Sequence, residues 1–112
     1  MSAAITEATV LTVLTQALRL TAAMEPAQTH VLLMVAAAPE PLMMSELARE
    51  RGKTSASMTA TIDQLEGKGM VMRVHGSDRR VIRVVATDRG REIVRQLAVD
   101  VVGMISLGGA HE

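Results

Sequence analysis

The stretch SELARERGKTSASMTATIDQLEGKGMVMRVHGSDRRVIRVVA, residues 45–86, decides how this chain folds. Its first part reads as a short helix over Glu46–Arg51, with Ser45 as its N-cap and Leu47 and Ala48 turned inward. Gly52 breaks the chain. Thr54 or Ser55 then caps a second helix, in which Met58, Ile62 and Leu65 recur at helical spacing on one face. Gly67-Lys68-Gly69 ends that helix, glycine supplying a left-handed C-cap. Beyond it the period changes from that of a helix to that of a strand. Met70–His75 and Val81–Ala86 are rich in β-branched residues and are joined by Gly76-Ser77-Asp78-Arg79-Arg80, which predicts a hairpin with a charged tip.

Outward from this centre the chain is helical and greasy. From Ala3 to Met24, apolar residues at Ile5, Val10, Leu11, Val13, Leu14, Ala17, Leu18, Leu20 and Met24 cover more than one helical face. Pro26 suits the first turn of a further helix over Pro26–Ala38, which the Pro39-Glu40-Pro41 segment ends. Leu42-Met43-Met44 reads as a short extended stretch. On the other side, Thr87 or Asp88 caps a last helix running to about Leu107, with Ile93, Val94, Leu97, Val101, Val102 and Ile105 apolar and Gly108-Gly109 closing it.

The 112 residues are one domain's worth of chain, without Phe, Trp, Tyr or Cys. Its core must be built from Leu, Val, Ile, Ala and some of nine Met, which act as gap-fillers. The lack of cysteine excludes disulfides, thiol nucleophiles, zinc-thiolate sites and thiol redox sensing. With no basic leader and no apolar run of membrane-spanning length, a cytoplasmic protein is expected, with no membrane partner. Net charge is zero, but it is unevenly distributed. Residues 45–95 hold eleven Lys and Arg against seven Asp and Glu, whereas the flanks hold Arg19 alone against five acids. Such asymmetry suggests a centre that faces DNA and ends with another task.

A short helix, a tight break, a second helix and a basic hairpin compose a winged helix-turn-helix. The second helix fits the major groove, the first braces its angle of entry, and the hairpin reaches over the backbone toward the minor groove. The expected fold is mainly α with a small β-hairpin, one domain over 1–112. In it, 26–87 form the DNA-binding lobe with a wing at about 70–86, and 1–25 and 88–107 form flanking dimerisation helices. Both terminal helices are apolar beyond a single stripe, which favours a homodimer over purely intramolecular packing.

Ser45-Glu46-Leu47-Ala48, Ser57-Met58-Thr59-Ala60-Thr61-Ile62-Asp63-Gln64-Leu65-Glu66, Gly69-Met70-Val71, Asp78-Arg79-Arg80 and Thr87-Asp88-Arg89-Gly90 follow one another over about residues 29–95. In order and spacing this set resembles the MarR family of transcriptional regulators. The resemblance implies dimers that bind double-stranded DNA, usually repressors, often with a small-molecule effector between dimerisation helices and DNA-binding lobe. It places Ser55, Ala56, Ser57, Thr59, Ala60, Thr61 and Gln64 on the exposed side of the recognition helix. Arg80 matches the wing arginine that enters the minor groove, and Asp78 the acid that orients it through a salt bridge. Arg79 and Arg73 would contact phosphate, as would Ser45 near a helix N-terminus. Lys53 and Thr54 in the turn are counted with the candidate DNA-binding residues.

Three features depart from the family pattern. Arg51 and Lys53 stand where apolar residues are usual, and are expected either to snorkel or to turn outward to phosphate. Ala60 stands where a basic residue is common, so guanine is poorly served. One C-terminal helix stands where longer relatives often add another, and a reduced dimer interface is expected. The weak readout face and neutral charge leave a second reading open: a winged-helix protein that docks on or heterodimerises with another regulator. His30, His75 and His111 form no metal-ligand spacing; His30 is expected to be packed or capping, and His75 to lie at the wing beside phosphate. No nucleophile–base pair, phosphate loop or cofactor motif can be assembled, so no enzyme and no cofactor are expected.

Overall fold

Glycines and threonines punctuate the chain. The computed structural model describes residues 6–22, 24–78 and 80–110. Arg79 and His111 lie outside the described residues. The order is α1 (Glu7–Leu20), α2 (Pro26–Ala37), β1 (Leu42–Met43), α3 (Met44–Arg51), α4 (Ser55–Gly67), β2 (Val71–His75), β3 (Ile82–Ala86) and α5 (Asp88–Ala110).

Helix α1 is shorter than the apolar pattern from Ala3 to Met24 suggests. Thr6 caps it by accepting the Thr9 N–H at 3.1 Å, and Thr21 closes it, its backbone N–H and its hydroxyl both donating to the Ala17 carbonyl at 3.1 and 2.9 Å. Helix α2 begins at Pro26, where the missing N–H is harmless. Its end at the extended Ala38 follows from Pro39.

The N-terminus of α3 differs from the sequence expectation. The Met43 N–H donates to Glu46 Oε1 at 2.9 Å, so the helix starts at Met44 and Ser45 stands inside its first turn rather than at the N-cap. Gly52 ends α3 at φ 61°, a left-handed conformation that an L side chain resists. Of the two candidate caps for α4, Thr54 takes the role, accepting the Ser57 N–H at 3.1 Å.

The hairpin is part of a larger sheet. Strand β3 lies between β1 and β2, antiparallel to both, with Leu42 opposite Val84 and Arg73 opposite Val84 on the other side. A two-residue strand is too short for any alternation to register, so the sequence showed only an extended stretch. Between sheet and last helix sits Thr87. Its hydroxyl donates to the Gly69 carbonyl at 2.6 Å and accepts the Gly90 N–H at 3.1 Å, while its own N–H donates to the Met70 carbonyl at 3.0 Å. Gly90 is buried in the first turn of α5, where a Cβ would meet the Met70 carbonyl oxygen at 2.1 Å. Helix α5 continues through Gly108-Gly109 to Ala110 instead of closing there.

The core lies wholly within the lobe. Val31, Leu32 and Val35 of α2, Leu47 and Ala48 of α3, and Met58, Ile62 and Leu65 of α4 close over Met70, Val71, Val84 and Ala86. None of the described side chains of α1 enters it. Instead α1 packs on α5 and extends the molecule to 54 × 23 × 23 Å. The radius of gyration is 16.2 Å, against roughly 13 Å for a compact domain of this length. Among the described residues, no helix is long and apolar enough to cross a membrane.

Candidate nucleic-acid interface

Helix α4 is anchored by Met58, Ile62 and Leu65, each buried to within 1%. With 3.6 residues per turn, that anchorage turns Ala56 and Ala60 directly away from the core, with Ser57 on one side, Thr59 on the other and Ser55 at the helix start, all five exposed. Helix α3 lies behind, held by Leu47 and Ala48. Lys53 and Thr54 are exposed at the turn, although the Thr54 hydroxyl is already committed as a cap.

Helices α3 and α4 and the hairpin enclose an open cleft of about 430 Å³. Ser45, Ser55, Thr59, Arg73 and Arg80 line it together with Met43, Met44, Val81 and Ile82. Five of the residues singled out in the sequence therefore meet on one surface, contributed by two helices and both sides of the wing.

Not all of them are free to serve there as expected. Arg73 was expected at phosphate, but its guanidinium donates to Asp63 Oδ1 at 2.6 Å and Glu66 Oε1 at 2.5 Å. Its backbone N–H also faces Glu66 Oε2, at 3.3 Å. The Asp63 hydrogen bond, above all, holds this guanidinium above its ordinary pKa, with the Glu66 charge adding to it against partial desolvation. Arg73 thus ties β2 to the wing-side flank of α4. Both carboxylates of α4 are paired in this way.

Asp78 likewise acts differently. Its Oδ1 accepts the Arg80 backbone N–H at 3.0 Å, shaping the turn, and among the described residues it forms no ion pair with the Arg80 guanidinium. A short Asp side chain reaches the N–H two residues on more readily than the end of a long extended arginine. Arg80 is exposed at the tip.

The opposite flank of α4 holds a polar chain absent from the sequence reading. Gln28 of α2 is buried to 4%. Its Nε2 donates to Gln64 Oε1 at 2.9 Å and its Oε1 accepts from Lys68 Nζ at 2.6 Å. Gln64, expected at DNA, is held by this chain. The signal was present: Gln28 shares the helical stripe of Val31, Leu32 and Val35. Nor is His30 packed; it is exposed on α2 and contacts the Arg51 guanidinium. The Thr61 hydroxyl donates back to the Ser57 carbonyl at 3.2 Å.

The MarR family model matches residues 24–81, from the start of α2 to the tip of the wing, slightly over half of the chain. The chain belongs to the MarR family. Solved structures agree on the fold. The transcriptional regulator Tm0710 from Thermotoga maritima superposes with a TM-score of 0.82 at 21% identity, covering 91% of this chain and 73% of that one. The transcriptional regulator BldR from Sulfolobus solfataricus gives a TM-score of 0.60 at 32% identity, over 66% of this chain and 52% of its own. Streptococcus pneumoniae FabT, solved in complex with DNA, gives 0.72 at 24% identity, over 85% and 69%. In MarR-family terms α3 and α4 are the helix-turn-helix and β2–β3 the wing, with β1 completing the sheet.

Proposed function

We propose that this MarR-family protein is a cytoplasmic homodimer that binds a pseudo-palindromic site in double-stranded DNA and represses transcription. One observation carries the reading. Ser55 and Thr59 of α4, Ser45 at the start of α3 and the wing residue Arg80 border a single cleft, the arrangement needed to engage a major groove and the adjoining backbone together. The DNA complex of the structurally similar FabT supports it.

Dimerisation is supported by the terminal helices. Leu11, Leu14 and Leu18 of α1 are 63, 54 and 68% exposed, and Val99 and Val102 of α5 are 58 and 61% exposed. Covering about 1,000 Å² of such apolar surface contributes very roughly 25 kcal/mol before the entropy of association is subtracted. A two-fold dimer would set its recognition helices about 34 Å apart, one turn of DNA. At the junction of α1 and α2 a recess of about 370 Å³, lined by Leu18, Thr21, Met24, Pro26, Thr29, His30 and Leu33 among others, would suit a small apolar effector. The Thr29 hydroxyl there is buried without a hydrogen-bond partner.

Enrichment of duplexes from a random pool tests the reading: two half-sites in inverted repeat are expected. If each protomer neutralises about four phosphates, log affinity falls against log salt with a slope near −7. Helix α4 itself carries no Lys or Arg, which favours the alternative of a winged-helix protein that docks on another regulator. Failure to enrich any duplex at low salt would select that alternative.

A further inference from the structure

The side chains of α4 that could read a base by paired hydrogen bonds are committed to the protein itself. Asp63 and Glu66 hold Arg73. Gln64 gives its oxygen to Gln28, whose own oxygen receives Lys68. An ammonium only donates, so Lys68 fixes the direction of the whole chain and Gln64 must present Oε1 inward. Glutamine reads adenine with its oxygen and its NH₂ together, and that oxygen is turned inward to Gln28. The Thr61 hydroxyl proton is spent on the Ser57 carbonyl.

What α4 turns outward at its midline is the pair of methyl groups of Ala56 and Ala60, opposite Met58, Ile62 and Leu65 and flanked by the hydroxyls of Ser57 and Thr59. In the major groove the base-edge group that an apolar side chain recognises is the C5 methyl of thymine. We infer that the recognition helix specifies its site by apolar contact of Ala56 and Ala60 with thymine methyl groups, and not by amide or guanidinium pairing with purines. The inference rests on the DNA-binding reading above and names what that surface reads.

Deoxyuridine in place of thymidine tests it, since it removes the methyl group and leaves base pairing intact. Duplexes enriched by the wild-type protein from a random pool are resynthesised with one thymine at a time replaced by uracil. One or two positions in each half-site should weaken binding about fourfold each, the worth of one buried methyl group, and the rest should not respond. For Ala56→Gly and Ala60→Gly, the thymine-to-uracil affinity ratio at the position each residue faces should fall to one. Both affinities are measured on one preparation, so any unfolded fraction cancels from the ratio. A wild-type site indifferent to uracil throughout, or a ratio that survives both glycine variants, overturns this inference alone. A wild-type protein that enriches no duplex overturns the DNA-binding reading together with it.

Discussion

Arg73 and Arg80 line the same cleft, yet their surroundings give them different work. Arg80 stands exposed at the wing tip, whereas Arg73 is enclosed by two carboxylates on successive turns of α4. On the proposed function, Arg80→Ala should weaken DNA binding by about 1–3 kcal/mol and reduce the salt slope by about one for each protomer. Arg73→Met should leave the slope unchanged while lowering affinity through the set of α4 against the wing. Titrating both variants over a salt series separates the two roles; equal slopes for both would contradict the assignment. A sharper effect is expected at Gly90, where the carbonyl of Met70 occupies the space of a side chain. Gly90→Ala should destabilise the lobe by about 3 kcal/mol or more, because the obstruction is backbone and cannot rotate away. Denaturant unfolding measures it.

At the scale of elements, Thr87 joins the sheet to α5 through three hydrogen bonds. Thr87→Ala should cost about 0.5–2 kcal/mol for the lost cap alone, and Thr87→Ser should recover most of it; a serine variant as unstable as the alanine would show that the methyl group, not the hydroxyl, matters. Much at this scale could be read from the sequence. The order of helices, the glycine after α3, the cap of α4 among two candidates and the hairpin all follow from local signals at residues 45–86. What escaped depends on partners distant in sequence. Strand β1 exists because Leu42 and Met43 meet β3, and Gln64 is diverted by a residue 36 positions away. Arg73 reaches Asp63 and Glu66 only once the chain has turned back. Local pattern placed the residues of the cleft together, but not the bonds among them.

For the whole molecule, the decisive feature is the division between a lobe with its own core and a projecting pair of helices. On the proposed function, substituting Glu for Leu18, 68% exposed on α1, should convert the proposed dimer to a monomer in light scattering and lower affinity for a two-half-site duplex by more than about 100-fold. A single half-site should be affected far less, since the second contact gains its strength from linkage to the first. A dimeric Leu18→Glu variant would place the interface elsewhere.

In the proposed homodimer α1, which rests on α5 and takes no share in the lobe's interior, would draw support for its helical state from the second subunit. Its order would then obey mass action. At low copy number the terminal segment would melt and be open to proteases, while accumulating chains would protect one another. The amount of competent regulator would rise more steeply than the rate of its synthesis, so a gradual change in expression would reach the promoter as a threshold.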